Sequence, residues 1–322
     1  MTESTAVAPV LSTAALPVPA ILAEAGGHAR ERFFEFFAAQ IRNRNTRGAY
    51  LQAAHQFFAW CGEHRLALLE IRPLHVAAYI ESKQRELSPP SIKQHLAGLR
   101  MLFNWFVVGQ VLPANPALFV KGPKFSRQVG ITPILEPEQM RDLLDSIETG
   151  SLKGLRDRAA IALMAYTFAR VTAVILLRRE DYRLQGKRAQ LRLHEKGGKE
   201  KLVWLHHEAE EYLDRYLEKA AIADPKAPLF QSMDKLHRLT GQGIGRRDLL
   251  RAVKQRCAQA GLPATICNHT FRGTGITVFL QNGGSLEAAQ DMANHADPRT
   301  TKLYDRRKDL ATLSEIERRI AF

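Results

Sequence analysis

The sequence predicts a mainly α-helical chain with one small antiparallel β-sheet, divided into two domains. Apolar residues recur at helical steps along most of the 322 residues, a length that suits two domains of ordinary size. One stretch, "RAQLRLHEKGGKEKLVWLHHE" (188–208), instead carries two short β-like runs across a pair of glycines. A proline- and glycine-containing segment over 119–130 separates the helical patterns on either side and reads as a linker.

The first 27 residues are rich in Ala, Pro, Ser and Thr and read as a disordered tail. They lack a basic n-region, carry Glu3 and are broken by Pro9, Pro17 and Pro19, so neither a signal peptide nor a spanning helix is expected. A helical domain follows over 28–118. Its first helix is "ERFFEFFAAQIRNR". After a cap at Asn45-Thr46 comes a second, with Tyr50, Ala53, Phe57 and Trp60 on one stripe. "PLHVAAYIESKQREL" is a third. Beyond Ser88-Pro89-Pro90, a fourth places Ile92, Leu96, Leu99, Phe103 and Phe106 at steps of four and three. Aromatic residues at this spacing predict a bundle core rather than a base-stacking surface.

The second domain spans 131–322. "EPEQMRDLLDSIE" is helical, and "LRDRAAIALMAYTFARVTAVILLRREDY" reads as one long, nearly all-apolar core helix. The hairpin follows, with strands Gln190–His194 and Lys201–Leu205 around Gly197-Gly198. Helices resume at "EAEEYLDRYLEKAAI", at "GRRDLLRAVKQRCAQAG" and from His269 onward. "GQGIGRRD" (241–248) lacks both the glycine spacing and the lysine of a nucleotide loop, and reads as a loop before a helix.

Lys and Arg number 46 against 33 Asp and Glu, a formal charge of +13 that favours a polyanionic partner. Three cysteines (Cys61, Cys257, Cys267) without a CxxC pair argue against a disulfide framework and for a reducing cytosol. Cys267 and His269 lie close, yet too few further ligands accompany them for a zinc site. No metal and no cofactor is expected.

The chemistry concentrates in a few polar residues. His269 and Arg272, three apart, share a helix face at the start of "NHTFRGTGITVFLQNGG". Arg170 lies within the apolar run, where an unpartnered guanidinium would cost several kcal/mol, so it must face a polar cleft or an anion. Asp297-Pro298 starts a short helix that carries Tyr304 about two turns in, with His295 upstream and little apolar material around either. Lys196 sits at the hairpin tip, with Lys199 and Lys201 nearby. Two arginine forks can grip one phosphodiester and neutralise the charge of a pentavalent transition state. A tyrosine flanked by cations and a base is a usable nucleophile, and a turn lysine can protonate a leaving oxygen.

This ordered set resembles the tyrosine site-specific recombinases, the phage-integrase-like enzymes. Arg170 in "TFARVTAVILL" matches the first arginine, Lys196 in "HEKGGKEK" the β-turn lysine, His269 and Arg272 the "H-x-x-R" box, His295 in "ANHADPRTT" the third-box histidine, and Tyr304 the nucleophile. The resemblance covers roughly residues 28–318. It implies a helical core-binding domain followed by a catalytic domain, closing on duplex DNA, with strand exchange through a 3′-phosphotyrosyl ester and without metal or ATP. It further implies four protomers on two DNA sites, accessory DNA-binding proteins in some systems, and a cytoplasmic, nucleoid-associated protein with no membrane partner. The amphipathic end "LATLSEIERRIAF" is then a candidate to dock on a neighbour. Type IB topoisomerase activity, or DNA binding without catalysis, are the alternatives. Phosphate contacts are expected from Arg42, Arg44, Arg47, Lys83, Lys93 and Arg100 in the helical domain and from Lys121, Lys124 and Arg127 in the linker. The chain departs from the family pattern at Phe168, where a glycine is expected, at Ala173, where a carboxylate is expected, and at Ala293-Asn294 in place of Leu-Gly.

Overall fold

The computed structural model describes residues 18–125, 130–195 and 198–306. The chain divides into two units, Met1–Ser126 and Arg127–Phe322, with the boundary inside the segment that the sequence marks as a linker.

The first unit is a helical bundle of α1 (Ala20–Glu24), α2 (Gly27–Glu35), α3 (Arg44–Glu63), α4 (Pro73–Lys83) and α5 (Pro89–Val108). Order begins before residue 28. Ile21 and Leu22 of α1 are buried with Phe33, Phe37 and Phe57, so the apolar content of this short helix draws it out of the expected tail. Helix α2 runs into a π-helical turn, Phe36–Gln40. The cap of α3 is Asn43 rather than Asn45-Thr46: its Oδ1 accepts from the backbone N–H of Asn45 and Thr46 at 3.0 and 3.1 Å. The α5 stripe behaves as its spacing predicts, with Ile92, Leu96, Leu99, Phe103 and Phe106 all buried. The aromatic residues meet edge to face, as in Phe57–Phe103 and Phe57–Tyr79, and form the core.

The second unit contains α6 (Pro137–Ser146), α7 (Leu152–Tyr166), α8 (Val171–Ile175), strands β1 (Tyr182–Gln185), β2 (Arg188–His194) and β3 (Glu200–Trp204), α9 (His207–Ala220), strands β4 (Gln231–Met233) and β5 (Leu239–Gly243), α10 (Arg246–Gln259), α11 (Asn268–Gln281), α12 (Leu286–Met292) and α13 (Pro298–Lys302). The expected hairpin is β2–β3, with Gln190 opposite Trp204 and His194 opposite Glu200. Two pairings were not legible. β1 adds an antiparallel third strand against β2, and β4 pairs with β5, which takes Gly241–Gly243 into a strand. Beneath them, Ala159–Ala165 of α7 form the centre of the core.

The long apolar helix of the sequence reading is two helices. It breaks over Thr167–Ala169, where Phe168 takes φ +55°. Asp157, fully buried in α7, holds the unit together from inside. Arg156 donates to its Oδ1 from Nη2 (2.8 Å) and Nε (3.2 Å), and Arg256 of α10 donates to Oδ2 from Nη2 (3.0 Å) and Nε (3.1 Å). Arg156 also donates to the Gln231 carbonyl of β4, so one carboxylate joins α7, α10 and β4. Among the described residues no helix is long and apolar enough to cross a membrane, and no group of three or more His, Cys, Asp or Glu is placed to hold a metal. Cys61, Cys257 and Cys267 are free thiols.

Candidate active site

The break after α7 positions the first arginine. Arg170 is not inside a helix; it is the N-cap residue of α8, and its backbone carbonyl accepts from the Ala173 and Val174 N–H groups. Its guanidinium is partly exposed. Nη1 pairs with Glu195 Oε2 at 2.8 Å, and Nη2 lies 3.5 Å from the Asn294 carbonyl. Of the two expectations for this arginine, a polar cleft or an anion, the structure shows an anion, Glu195.

Arg272, one turn into α11, is 1 % exposed. It donates from Nη1 to the Phe168 carbonyl and from Nη2 to the Ala293 carbonyl, while its buried Nε has no partner. Two departures from the family pattern acquire a geometric role here. Phe168 and Asn294 both adopt the left-handed backbone that glycine takes most easily, at φ +55° and +47°. Asparagine tolerates this region; a buried phenylalanine does so under strain. Burial first, and the nearby Arg170 charge second, push the Arg272 guanidinium down to about 10, with Glu195 and Tyr304 opposing.

Tyr304 lies in the turn just after α13 rather than two turns into a longer helix. Asp297 caps α13 as expected, accepting from the Arg299 N–H at 2.9 Å. The expectation of little apolar cover fails. Tyr304 packs with Phe168, Ile276, Leu280, Ala289 and Ala293, residues from three separate segments that the chain order does not reveal. Gly273 leaves room for the ring: a Cβ there would come within 3.1 Å of it. The Thr277 hydroxyl donates to the Tyr304 carbonyl at 3.2 Å.

The Tyr304 hydroxyl and His269 Nε2 are hydrogen-bonded at 2.9 Å. His269 keeps a solvent-exposed edge; partial burial, then the charges of Arg272, Arg170 and Arg246, hold its imidazole below the ordinary histidine value. It is therefore neutral near pH 7 and able to accept the phenolic proton. Burial raises the Tyr304 hydroxyl above its usual value, against the downward pull of Arg272 and Arg170. His295 stacks parallel to the Tyr304 ring at 6.2 Å and shares a hydrogen bond with the Thr301 hydroxyl at 2.9 Å. Burial, Arg272, Arg170 and His269 push it down to about 4.

The described fold thus gathers Arg170, His269, Arg272, His295 and Tyr304. Lys196 lies outside the described residues, as do Arg127 and the C-terminal segment. Of the neighbouring lysines, Lys199 is exposed, whereas Lys201 is engaged by the carbonyl and carboxylate of Asp291. Sequence reasoning missed Glu195 and Arg246, the latter exposed at the start of α10 in the stretch "GRRD" that it treated as an ordinary helix opening. A cavity of about 820 Å³ lined by Tyr166, Phe168, Trp204, Phe279 and Met292 contains none of the five gathered residues.

Among the basic residues assigned to phosphate contacts, Arg42, Arg44, Lys93, Lys121 and Lys124 are exposed. Arg47 and Arg100 are not available in the same way. Arg47 donates twice to the Ile41 carbonyl, at 3.0 and 2.8 Å, and Arg100 donates to the carbonyls of Ala117 and Val120. Both close chain segments onto the bundle, because a planar fork satisfies orphan carbonyls efficiently. Lys83 pairs with Glu86 at 2.7 Å.

Residues 133–310 match the model of the phage integrase family. The chain belongs to the phage integrase family of tyrosine recombinases. It is 29 % identical over 225 residues to tyrosine recombinase XerD of Listeria monocytogenes, covering 69 % of this chain and 73 % of the relative. It is 28 % identical over 259 residues to a tyrosine recombinase of Pseudothermotoga lettingae, covering 80 % and 85 %. In fold it resembles XerH site-specific recombinase bound to a palindromic difH substrate (TM-score 0.72, 18 % identity, 96 % of this chain and 91 % of that one). It also resembles a lambda integrase dimer bound to a COC′ core site (TM-score 0.65, 16 % identity, 86 % and 77 %). Helical architecture with small antiparallel sheets is therefore common to this recombinase and its structural neighbours.

Proposed function

We propose that this family member is a site-specific DNA recombinase in which Tyr304 is the nucleophile and His269 its base. The observation that carries the reading is the 2.9 Å hydrogen bond between the Tyr304 hydroxyl and His269 Nε2, in a site whose electrostatics are dominated by two guanidinium groups. His269 takes the proton as the phenolic oxygen bonds to phosphorus. The P–O5′ bond breaks, and Lys196 protonates the departing 5′ oxygen. Arg170 and Arg272 bind the nonbridging oxygens, with the unpartnered Arg272 Nε–H as one donor, and His295 donates a further hydrogen bond. The ester stores the bond energy, so the 5′ hydroxyl of a partner strand reverses the step without ATP.

Relatives of similar fold bound to DNA support duplex DNA as the partner, and the +13 charge agrees. Each protomer cuts one strand, so complete exchange takes a tetramer on two sites, acting in the cytoplasm on nucleoid or mobile-element DNA; accessory DNA-binding proteins would set its direction. A pool of nicked duplexes with a randomised centre tests the reading. Wild-type protein is expected to form an adduct that survives denaturation, Tyr304→Phe none, and sequencing the trapped strands defines the site. Absence of any wild-type adduct refutes the enzyme reading, and relaxation of plasmids without regard to sequence would point to a topoisomerase.

A further inference from the structure

We infer that Glu195 is a positioning residue for strand cleavage, holding the Arg170 guanidinium from the end of β2. The inference rests on the proposed recombinase chemistry and adds to it a residue that the sequence patterns did not select.

The ion pair is asymmetric. The Glu195 side chain is 4 % exposed, whereas that of Arg170 is 37 % exposed, so the carboxylate is the buried, fixed partner and the guanidinium presents its remaining N–H groups outward. Glu195 is itself anchored. Its backbone N–H donates to the Lys199 carbonyl at 2.7 Å, closing the turn between β2 and β3. One residue earlier, the His194 ring meets Asp181 at 3.0 Å, which pins the end of β2. An arginine side chain loses rotamer freedom when it is fixed in one geometry, and a prepositioned carboxylate means that this loss is not deferred to the cleavage transition state.

Nothing else on the Arg170 helix performs this service. One turn on, at the position facing back along α8, Ala173 is buried and offers only a methyl group. The carboxylate reaches Arg170 from the hairpin instead. Its charge also acts on Arg272, where it opposes the repulsion from Arg170, so one buried anion steadies both forks.

The test uses the full chain and the duplex recovered by wild-type adduct capture, with single-turnover cleavage measured at saturating protein. Glu195→Ala is expected to slow cleavage about tenfold to a hundredfold, the usual consequence of misplacing a phosphate ligand by an ångström. Affinity, measured in the Tyr304→Phe background, and melting temperature should change little. Glu195→Gln, nearly isosteric and still able to accept a hydrogen bond, should recover part of the rate. In an Arg170→Ala background, Glu195→Ala should add less than about a twofold effect, because the two act as one unit. Equal slowing in both backgrounds, an unchanged rate, or faster cleavage by Glu195→Ala would each overturn the inference. Failure of the wild type to form any adduct would instead remove the recombinase reading on which it rests.

Discussion

Restoring the family glycine at position 168 should harm this protein rather than improve it. Phe168 holds φ +55°, and the left-handed backbone costs a bulky residue about 1–2 kcal/mol that Phe168→Gly would relieve. The side chain, however, is 3 % exposed and joins the cluster around Tyr304. It meets the Phe279 ring at 5.9 Å and 72°, and its ring fills the space beside Gly275, where a Cβ would come within 2.9 Å of it. Emptying a buried phenylalanine site costs about 3–5 kcal/mol, and a glycine adds roughly 0.5–1 kcal/mol of backbone entropy. The balance is a net loss of about 3 kcal/mol. Urea denaturation of the full chain, followed by tryptophan fluorescence and by circular dichroism, measures it. The Phe168 carbonyl that accepts from Arg272 survives the substitution, so cleavage by the folded fraction should fall less than stability does. A Phe168→Gly protein as stable as wild type, or more so, would refute the claim that packing outweighs backbone strain here.

Removing the Asp157 carboxylate as Asp157→Ala leaves two buried arginines unpaired and should cost about 3–5 kcal/mol, read as a drop in the denaturation midpoint of the catalytic unit. Acid should weaken the fold through His295. Its imidazole is held at about 4 in the native state against 6.5 unfolded, so the unfolded chain binds the extra proton as pH falls between these values. This contribution is complete above pH 6.5, and roughly 3 kcal/mol of it is lost by pH 4; an acid-induced loss smaller by about that amount in His295→Gln, measured by denaturation across that range, checks the assignment. In the helical unit, Lys93→Ala should weaken DNA binding and reduce the salt dependence by about one counterion. Arg100→Ala should instead lower thermal stability, since its guanidinium is spent on the Ala117 and Val120 carbonyls; a pure salt-slope change without destabilisation would contradict that role.

The local code of the chain determined a good deal. Helical spacing of apolar residues gave α3 and α5 and their buried faces, since a 3.6-residue period needs no knowledge of the partner helix. Alternation around Gly197-Gly198 gave β2 and β3. Residue types marked Arg170, His269, Arg272, His295 and Tyr304 as a candidate set, and folding brings these five side chains together. Short apolar or mixed stretches were less legible. β1, β4 and β5 acquire strand identity from their neighbours' hydrogen bonds, and α1 from the core that buries Ile21 and Leu22.

Only the tertiary structure decided which charges are free to act. Arg47 and Arg100 look like surface cations in a helical projection, yet each caps carbonyls brought near by chain reversals. The break at Thr167–Ala169 is hidden in an unbroken apolar run, since burial, not propensity, permits a left-handed phenylalanine there. Most of all, the partner of Arg170 lies 25 residues away on a β-turn. Sequence chemistry required a polar cleft or an anion for that guanidinium; that a carboxylate supplies it, and which one, is a long-range contact, and folding alone brings Glu195 within 2.8 Å.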